Sequence, residues 1–290
     1  MYVMIVMYSQ IPFIFCIKPM QPTSELYFAL ERAYDHFNSK LFDGDLPTVI
    51  FTFQRKSGVM GYFSPERWGN QKGKKCNEIA INPSFLAQSR LIEICQTLVH
   101  EMVHCWQHHF GKPSRISYHN LEWARKMMNV GLMPSSTGEP GGKMTGQMMA
   151  DYIIEDGLFI KAFDSLTKSE KFDFPWFDRK ALPRLFEPVI ATLSVQEHQS
   201  MPDTPLDEEA IINYVNESVK STSLDIYFHG DQSSGKLASY TPDTFVTFEP
   251  AKKSTRTKYI CNGCSAIVYG KSNLNISCDD CNCKFESVDS

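Results

Sequence analysis

His100, Glu101 and His104 stand in the order His-Glu-Met-Val-His. On an α-helix, residues four apart share a face, so both imidazoles can point at one metal ion. A carboxylate beside them can take a proton from a water on that metal, which is the apparatus of zinc-dependent hydrolysis. Three such ligands leave a fourth position for water, and the motif supplies only two of them. His108 continues the series, but each step of four climbs about 6 Å along the axis and carries it away from an ion held by His100 and His104. His109 points to another side. His119 opens a segment, Tyr118 to Met127, that reads as a second helix able to fold back on the first across the link from Gly111. His119 is therefore the expected third ligand.

A second group of metal-type residues lies near the end of the chain. Cys261-Asn262-Gly263-Cys264 and Cys278-Asp279-Asp280-Cys281 are two C-x-x-C knuckles separated by thirteen residues. Four thiolates paired in this way suit a tetrahedral structural zinc, with Ser265 to Ser277 expected as a hairpin between them. A module of about forty residues buries too little apolar surface to fold unaided, so the metal supplies its folding energy. Disulfides compete with this reading, but the knuckle spacing favours metal. Cys283 is read as a spare thiol rather than a replacement for Cys281. The nine cysteines together suit a reducing compartment. Cys16 and Cys76 show no pairing pattern, and Cys95 and Cys105 are expected to pack as small hydrophobes.

The elements that must position these groups are visible as periodicities. Leu91, Cys95, Leu98, Met102 and Trp106 recur at helical spacing between a candidate cap at Ser89 and the Gly111-Lys112-Pro113 exit. Trp106 and Trp123 are expected core aromatics, and His108 and His109 exposed polar residues. Glu122, near His119, either orients a ligand or is a solvated helix carboxylate. Thr23 to Phe42 reads as an amphipathic helix with Leu26, Leu30, Ala33 and Phe37 on one face. Thr48 to Gln54, Met60 to Phe63 and Glu78 to Asn82 read as short strands. The glycine-rich run from Ser135 to Gly146 is expected as a loop bordering the cleft. Strand-like alternation then resumes from Tyr152 to Phe163 around Gly157. The aromatic run Phe172 to Phe177 is expected to dock on the domain or on a partner.

The chain of 290 residues, 42% hydrophobic and 21% charged, suffices for one sizeable core and a satellite module. Its net charge of -4 speaks against a protein dominated by nucleic-acid contacts. The distribution is less even. Between Gln196 and Pro250 only Lys220 and Lys236 are positive, whereas Lys252, Lys253, Arg256 and Lys258 precede the first knuckle. That basic approach fits phosphate contacts and fits a solubilising linker equally well. Met1 to Ile17 is almost wholly apolar, but it lacks a basic start, contains Ser9, Gln10 and Pro12, and is short for a membrane span. It is read as an extension upstream of Met20 rather than as an anchor or signal, with no stable membrane association.

These residues carry a resemblance. His-Glu-Met-Val-His followed fifteen residues after His104 by His119-Asn-Leu-Glu-Trp123 resembles the SprT-like zinc metalloprotease family. So do Leu41-Phe-Asp-Gly-Asp-Leu-Pro47, Gly61-Tyr-Phe63 and Glu78-Ile-Ala-Ile-Asn82, and the likeness spans roughly residues 24 to 165. The resemblance implies an α+β fold. A zincin-like metalloprotease core of helices packed on a small sheet would occupy residues 20–165, after the apolar extension at 1–19. A linker would follow at 166–250, acidic in its second half, and then a zinc ribbon with a basic lead-in at 251–290. It further implies His100, His104 and His119 as ligands of a catalytic zinc and Glu101 as the catalytic base, with Cys261, Cys264, Cys278 and Cys281 holding a structural zinc. Asn120 departs from the glycine that many relatives have after the third histidine. By the same likeness the substrates are proteins, including proteins attached to DNA, and DNA is a partner. The compartment would be cytoplasmic, or nuclear in a eukaryote. Two other readings stay open: a non-enzymatic DNA-associated zinc-binding adaptor, and a hydrolase of small peptides or other amides. Glu101 separates enzyme from adaptor, because a structural zinc needs no adjacent base.

Overall fold

The computed structural model describes residues 5–6, 13–14, 19–86, 89–169, 172–180, 185–192, 219–227 and 257–288. The chain divides into two units, Met1–Phe245 and Val246–Ser290. In the first, β1 (Ile5–Val6) and β2 (Phe13–Ile14) form a short antiparallel pair. The rest of the apolar extension lies outside the described residues.

Helix α1 (Pro22–Leu41) begins with a proline in its first turn, where the missing N–H has no partner to lose. Its stripe of Leu30, Ala33, Tyr34, Phe37 and Leu41 is buried. Strands β3 (Val49–Phe53), β4 (Gly61–Gly69) and β5 (Lys75–Ile81) form one sheet in the order β3-β5-β4. Central β5 runs parallel to β3 and antiparallel to β4. Alternate residues Ile79 and Ile81 of β5 enter the core with Phe51 of β3. Tyr34 of α1 meets Phe51 edge-on at 5.7 Å and donates from its hydroxyl to the Pro47 carbonyl.

After the short α2 (Pro83–Leu86) come α3 (Leu91–Phe110) and α4 (Leu121–Val130). A second sheet follows, built from β6 (Leu132–Ser135), β7 (Ala150–Ile154), β8 (Val189–Thr192) and β9 (Lys220–Ser223) in that spatial order. Helix α5 (Leu158–Asp164) leaves β7, continues as a π-turn over Ser165–Ser169, and stacks Phe159 on Phe37 of α1. The four-residue α6 (Leu224–Tyr227) closes the unit's described part.

Several expectations change. The capping residue of α3 is Arg90, whose N–H donates to the Glu93 carboxylate, while Ser89 donates back to the Phe85 carbonyl. The alternation around Gly157 is two elements rather than one strand: it ends at Ile154, and the Gly157 turn starts a helix. The stretch read as a linker is in part core. Strand β8 pairs parallel to β7 and antiparallel to β9, and Val189, Ile190, Ala191 and Leu224 are buried. Val189–Thr192 is only four residues long and Lys220–Ser223 is wholly polar, so neither carried a periodicity from which to read a strand. The aromatic run at 172–177 docks on the unit itself: Phe172 is buried beneath the Arg32 guanidinium, and Trp176 donates to Glu25 of α1. No helix among the described residues is long and apolar enough to cross a membrane.

In the second unit, β10 (Thr257–Cys261), β11 (Ile267–Gly270), β12 (Ser277–Cys278) and β13 (Cys283–Val288) are arranged β11-β10-β13-β12, every pair antiparallel. Each knuckle lies at the turn of a hairpin, Cys261 to Cys264 between β10 and β11 and Cys278 to Cys281 between β12 and β13. The expected hairpin within 265–277 is therefore replaced by two hairpins that straddle the knuckles. Cysteines at the turns bring both pairs to one end of the sheet. The whole is a mixed α+β protein with a cysteine cluster near its C-terminus.

Candidate functional site

Helix α3 carries His100, Glu101 and His104 on a rod whose opposite side is fully buried through Ile92, Val99, Met102 and Val103. His100 and His104 are half-buried and their rings lie 5.2 Å apart. His119 is not on the second helix, as expected, but one residue ahead of its cap. There it forms an antiparallel bridge with Gly146, His119 N–H to Gly146 carbonyl at 2.7 Å and the reverse bond at 3.1 Å. Asn120 explains its own presence: its side chain caps α4 by accepting from the Trp123 N–H and from Gln107 Nε2.

The donor nitrogens of His100, His104 and His119 all lie within 4.8 Å of one another. Nε2 of His104 and Nε2 of His119 are 3.0 Å apart. Tetrahedral coordination with Zn–N distances of about 2.0–2.1 Å puts neighbouring nitrogens roughly 3.4 Å apart, so the existing spacing needs only a small adjustment. Two of the other ring nitrogens are already engaged. His100 Nδ1 is 2.8 Å from Asp151 Oδ2, and His119 Nδ1 is 3.0 Å from the Gly146 carbonyl. With a proton on each Nδ1 donated to these oxygens, the Nε2 lone pairs are left for a cation, the arrangement in which carboxylates and carbonyls orient metal-binding imidazoles. Burial, together with the neighbouring His100, holds His104 well below the ordinary histidine range and His119 at about 4. Burial opposes charge on His100 as well, but the Asp151 hydrogen bond and the charges of Glu101 and Asp151 outweigh it and raise its pKa.

Beneath the three rings lies Trp123, fully buried on α4. It stacks on His104 with 22° between the planes and meets His119 and His100 edge-on at 4.4 and 5.0 Å. Sequence periodicity identified this tryptophan as core; its position under the histidines is a feature of the tertiary fold alone.

Glu101 is 5% exposed. Burial pushes its carboxyl up to about 7, against the pull of His100 and of the Phe63 N–H that donates to it from β4. A carboxylate poised near neutrality is suited to accept a proton and return it. Strand β4 reaches it because residue 61 is glycine: a Cβ there would sit 3.1 Å from both the Ala80 carbonyl and Thr97 Cγ2, and 3.3 Å from Glu101 Cγ.

Asp151 is the site residue that spacing did not reveal. It lies at the start of β7, and its second oxygen accepts from Gln96 Nε2 at 2.8 Å, one turn before His100 on α3. The available signal was weak: a single acid opening an otherwise apolar strand. Glu122 does not touch a histidine. It accepts from Gln107 Nε2 and from the Lys112 N–H, tying the end of α3 to the loop that leads to His119. His109 is exposed and lies within hydrogen-bond distance of Asn77, and half-buried His108 packs near Phe63.

The second cluster brings together the expected Cys261, Cys264, Cys278 and Cys281, again with donor atoms within 4.8 Å of one another. Cys264 and Cys278 sulfurs are 3.7 Å apart, close to the roughly 3.8 Å edge of a tetrahedron with Zn–S distances of about 2.3 Å. The N–H groups of Cys264 and Gly263 point at Cys261 and hold its thiol down at about 6. A Cβ on Gly263 would come within 2.6 Å of Cys281 Cβ and 2.7 Å of its sulfur, so the knuckle closes only around a glycine. Donor type, spacing and cradle fit a thiophilic ion such as zinc.

No solved structure gives a significant match. An uncharacterised protein from the mucB 3' region of Salmonella typhimurium is 46% identical over 59 residues, which are 20% of this chain and 80% of that protein. The SprT-like family matches residues 30–140, a span that holds His100, Glu101, His104 and His119. The chain belongs to the SprT-like family.

Proposed function

We propose that the protein is a zinc-dependent endopeptidase whose core is zincin-like and whose C-terminal unit is a zinc ribbon. The observation that supports this most is the buried Glu101 beside three histidines, two of which turn their Nδ1 atoms to fixed oxygen acceptors. A purely structural ion needs no such base. His100, His104 and His119 would hold the catalytic zinc through Nε2, and Cys261, Cys264, Cys278 and Cys281 the structural one. When bound at three imidazoles, zinc acidifies a water molecule and polarises a carbonyl.

The chain's own residues do the rest. Asp151 and the Gly146 carbonyl keep two imidazoles in the tautomer that leaves Nε2 free. Glu101, steadied by the Phe63 N–H, takes a proton from the attacking water as the oxygen adds to the peptide carbonyl carbon. It then gives a proton to the departing amine nitrogen, so the C–N bond breaks without expelling an amide anion. Family likeness extends the substrate class to proteins carried on DNA, with DNA as a partner. The basic run at 252–256 that would contact DNA lies outside the described residues, and Lys258 opens β10 beside it.

Digestion of casein and of a DNA-bound protein, with and without DNA, tests the reading. Glu101→Gln should retain zinc and lose cleavage; unchanged turnover in that variant would refute the mechanism.

A further inference from the structure

Five thiols, not four, meet at the C-terminal cluster. Cys283 Sγ lies 3.4 Å from Cys261 Sγ, closer than the 3.7 Å between Cys264 and Cys278. The sheet dictates this approach. Cys261 of β10 faces Phe285 of β13, and Cys283 is two residues before Phe285, hence on the same face and diagonal to Cys261. Gly263 lets both neighbours in: a Cβ there would lie 2.7 Å from the Cys281 sulfur and 3.6 Å from that of Cys283. Cys264 is exposed and Cys281 and Cys283 are partly so, which lets small reagents reach Cys283, while Cys261 is buried beside it. A tetrahedral ion has four places, so a fifth thiol in contact with one ligand is free for other chemistry.

We infer that Cys261 and Cys283 form a thiol-oxidation site for peroxide, and that their disulfide dismantles the cysteine cluster. The inference rests on the reading that Cys261, Cys264, Cys278 and Cys281 hold zinc. The partly exposed Cys283 sulfur attacks one peroxide oxygen, the O–O bond breaks, and a sulfenic acid and one water form. The Cys261 thiolate, 3.4 Å away, then attacks the sulfenic sulfur; the S–S bond forms and hydroxide leaves, taking a proton from solvent to become the second water. The two sulfurs lose two electrons to peroxide; Cys283 gives one of the two protons that complete the waters, and solvent gives the other. The closing movement is short, from 3.4 Å to a bond of about 2.05 Å. The disulfide leaves three cysteines where four are required, and an excess of small thiol reverses the change.

The test uses the full chain in a His119→Ala background, which confines the zinc signal to the cysteines. Zinc content is measured first, then zinc release during addition of hydrogen peroxide, with peptide mapping of the products. Wild-type cysteines should release one equivalent of zinc and yield a Cys261–Cys283 cross-linked peptide, reversed by dithiothreitol. Cys283→Ser should hold the same zinc before oxidant and release it roughly ten-fold or more slowly. Release at the unchanged rate, or a cross-link mapped to Cys264 and Cys278, would overturn the inference. So would loss of zinc from Cys283→Ser before peroxide is added, since Cys283 would then be a ligand. If the chain with all five thiols binds no zinc there, the ribbon reading fails at the first step and the inference falls with it.

Discussion

His100, His104 and His119 are set among packed elements of the first unit. Leu98, Val99, Met102, Val103 and Trp123 are all fully buried around them; Asp151 of β7 fixes the His100 ring, and the Gly146 carbonyl fixes that of His119. The C-terminal unit offers no comparable support. Among its described residues only Tyr259, Cys261 and Cys278 are buried apolar side chains, while Ile267, Val268 and Tyr269 are exposed. Two of its three core residues are thus the proposed ligands themselves. On the proposed function, the difference teaches that one chain would use the same kind of ion in two ways: a core that makes a metal site, and a metal that makes a core.

The largest effects should divide along that line. Glu101→Gln removes the base without touching a ligand, so turnover should fall about 10²–10⁴-fold, the usual worth of general base catalysis, with zinc stoichiometry and melting behaviour unchanged. Chelation should act in the opposite manner. Apparent binding energies of structural zinc are about 10–16 kcal/mol, more than a unit this small can supply by burial, so amide-exchange protection across 257–288 should collapse. Protection along α3 and β5 should persist. Collapse of both together would mean that the histidine ion also holds up the core.

The unequal support also explains what could be read from the chain alone. His100, Glu101 and His104 are legible because helical geometry is local, and the four cysteines because each knuckle is a turn motif. His119 was reachable as the one histidine on a returning segment, although it sits on a bridge rather than on the helix. Asp151 was not, because its partner lies 51 residues away and no periodicity links them. The strands at 189–192 and 220–223 escaped for the same reason: only tertiary pairing, of the first with β7 and of the second with the first, makes those short runs part of a sheet.

Asp151→Asn should weaken zinc at the histidines by roughly 10–100-fold, measured by chelator competition, because the charge behind His100 is lost while its position is nearly kept. Zinc at the cysteines should be unaffected. Gly263→Ala supplies the reciprocal case: the added methyl group would stand 2.6 Å from Cys281 Cβ, so the knuckle must open and only the cysteine site should lose affinity. An effect of either variant on the other site would show that the two are coupled.

The smallest expected effect marks where the support of the histidine site ends. Glu122 accepts from Gln107 Nε2 at 2.8 Å and from the Lys112 N–H at 2.7 Å, but it contacts the loop before His119 and no ring. Glu122→Gln gives up a charged acceptor shared by two donors, which should cost about 1–3 kcal/mol in urea denaturation. Zinc affinity should hold within about two-fold, because His119 is fixed independently by its Gly146 bridge and by Trp123 packed against it. A loss of affinity as large as that of Asp151→Asn would instead make the 111–119 loop part of the metal site.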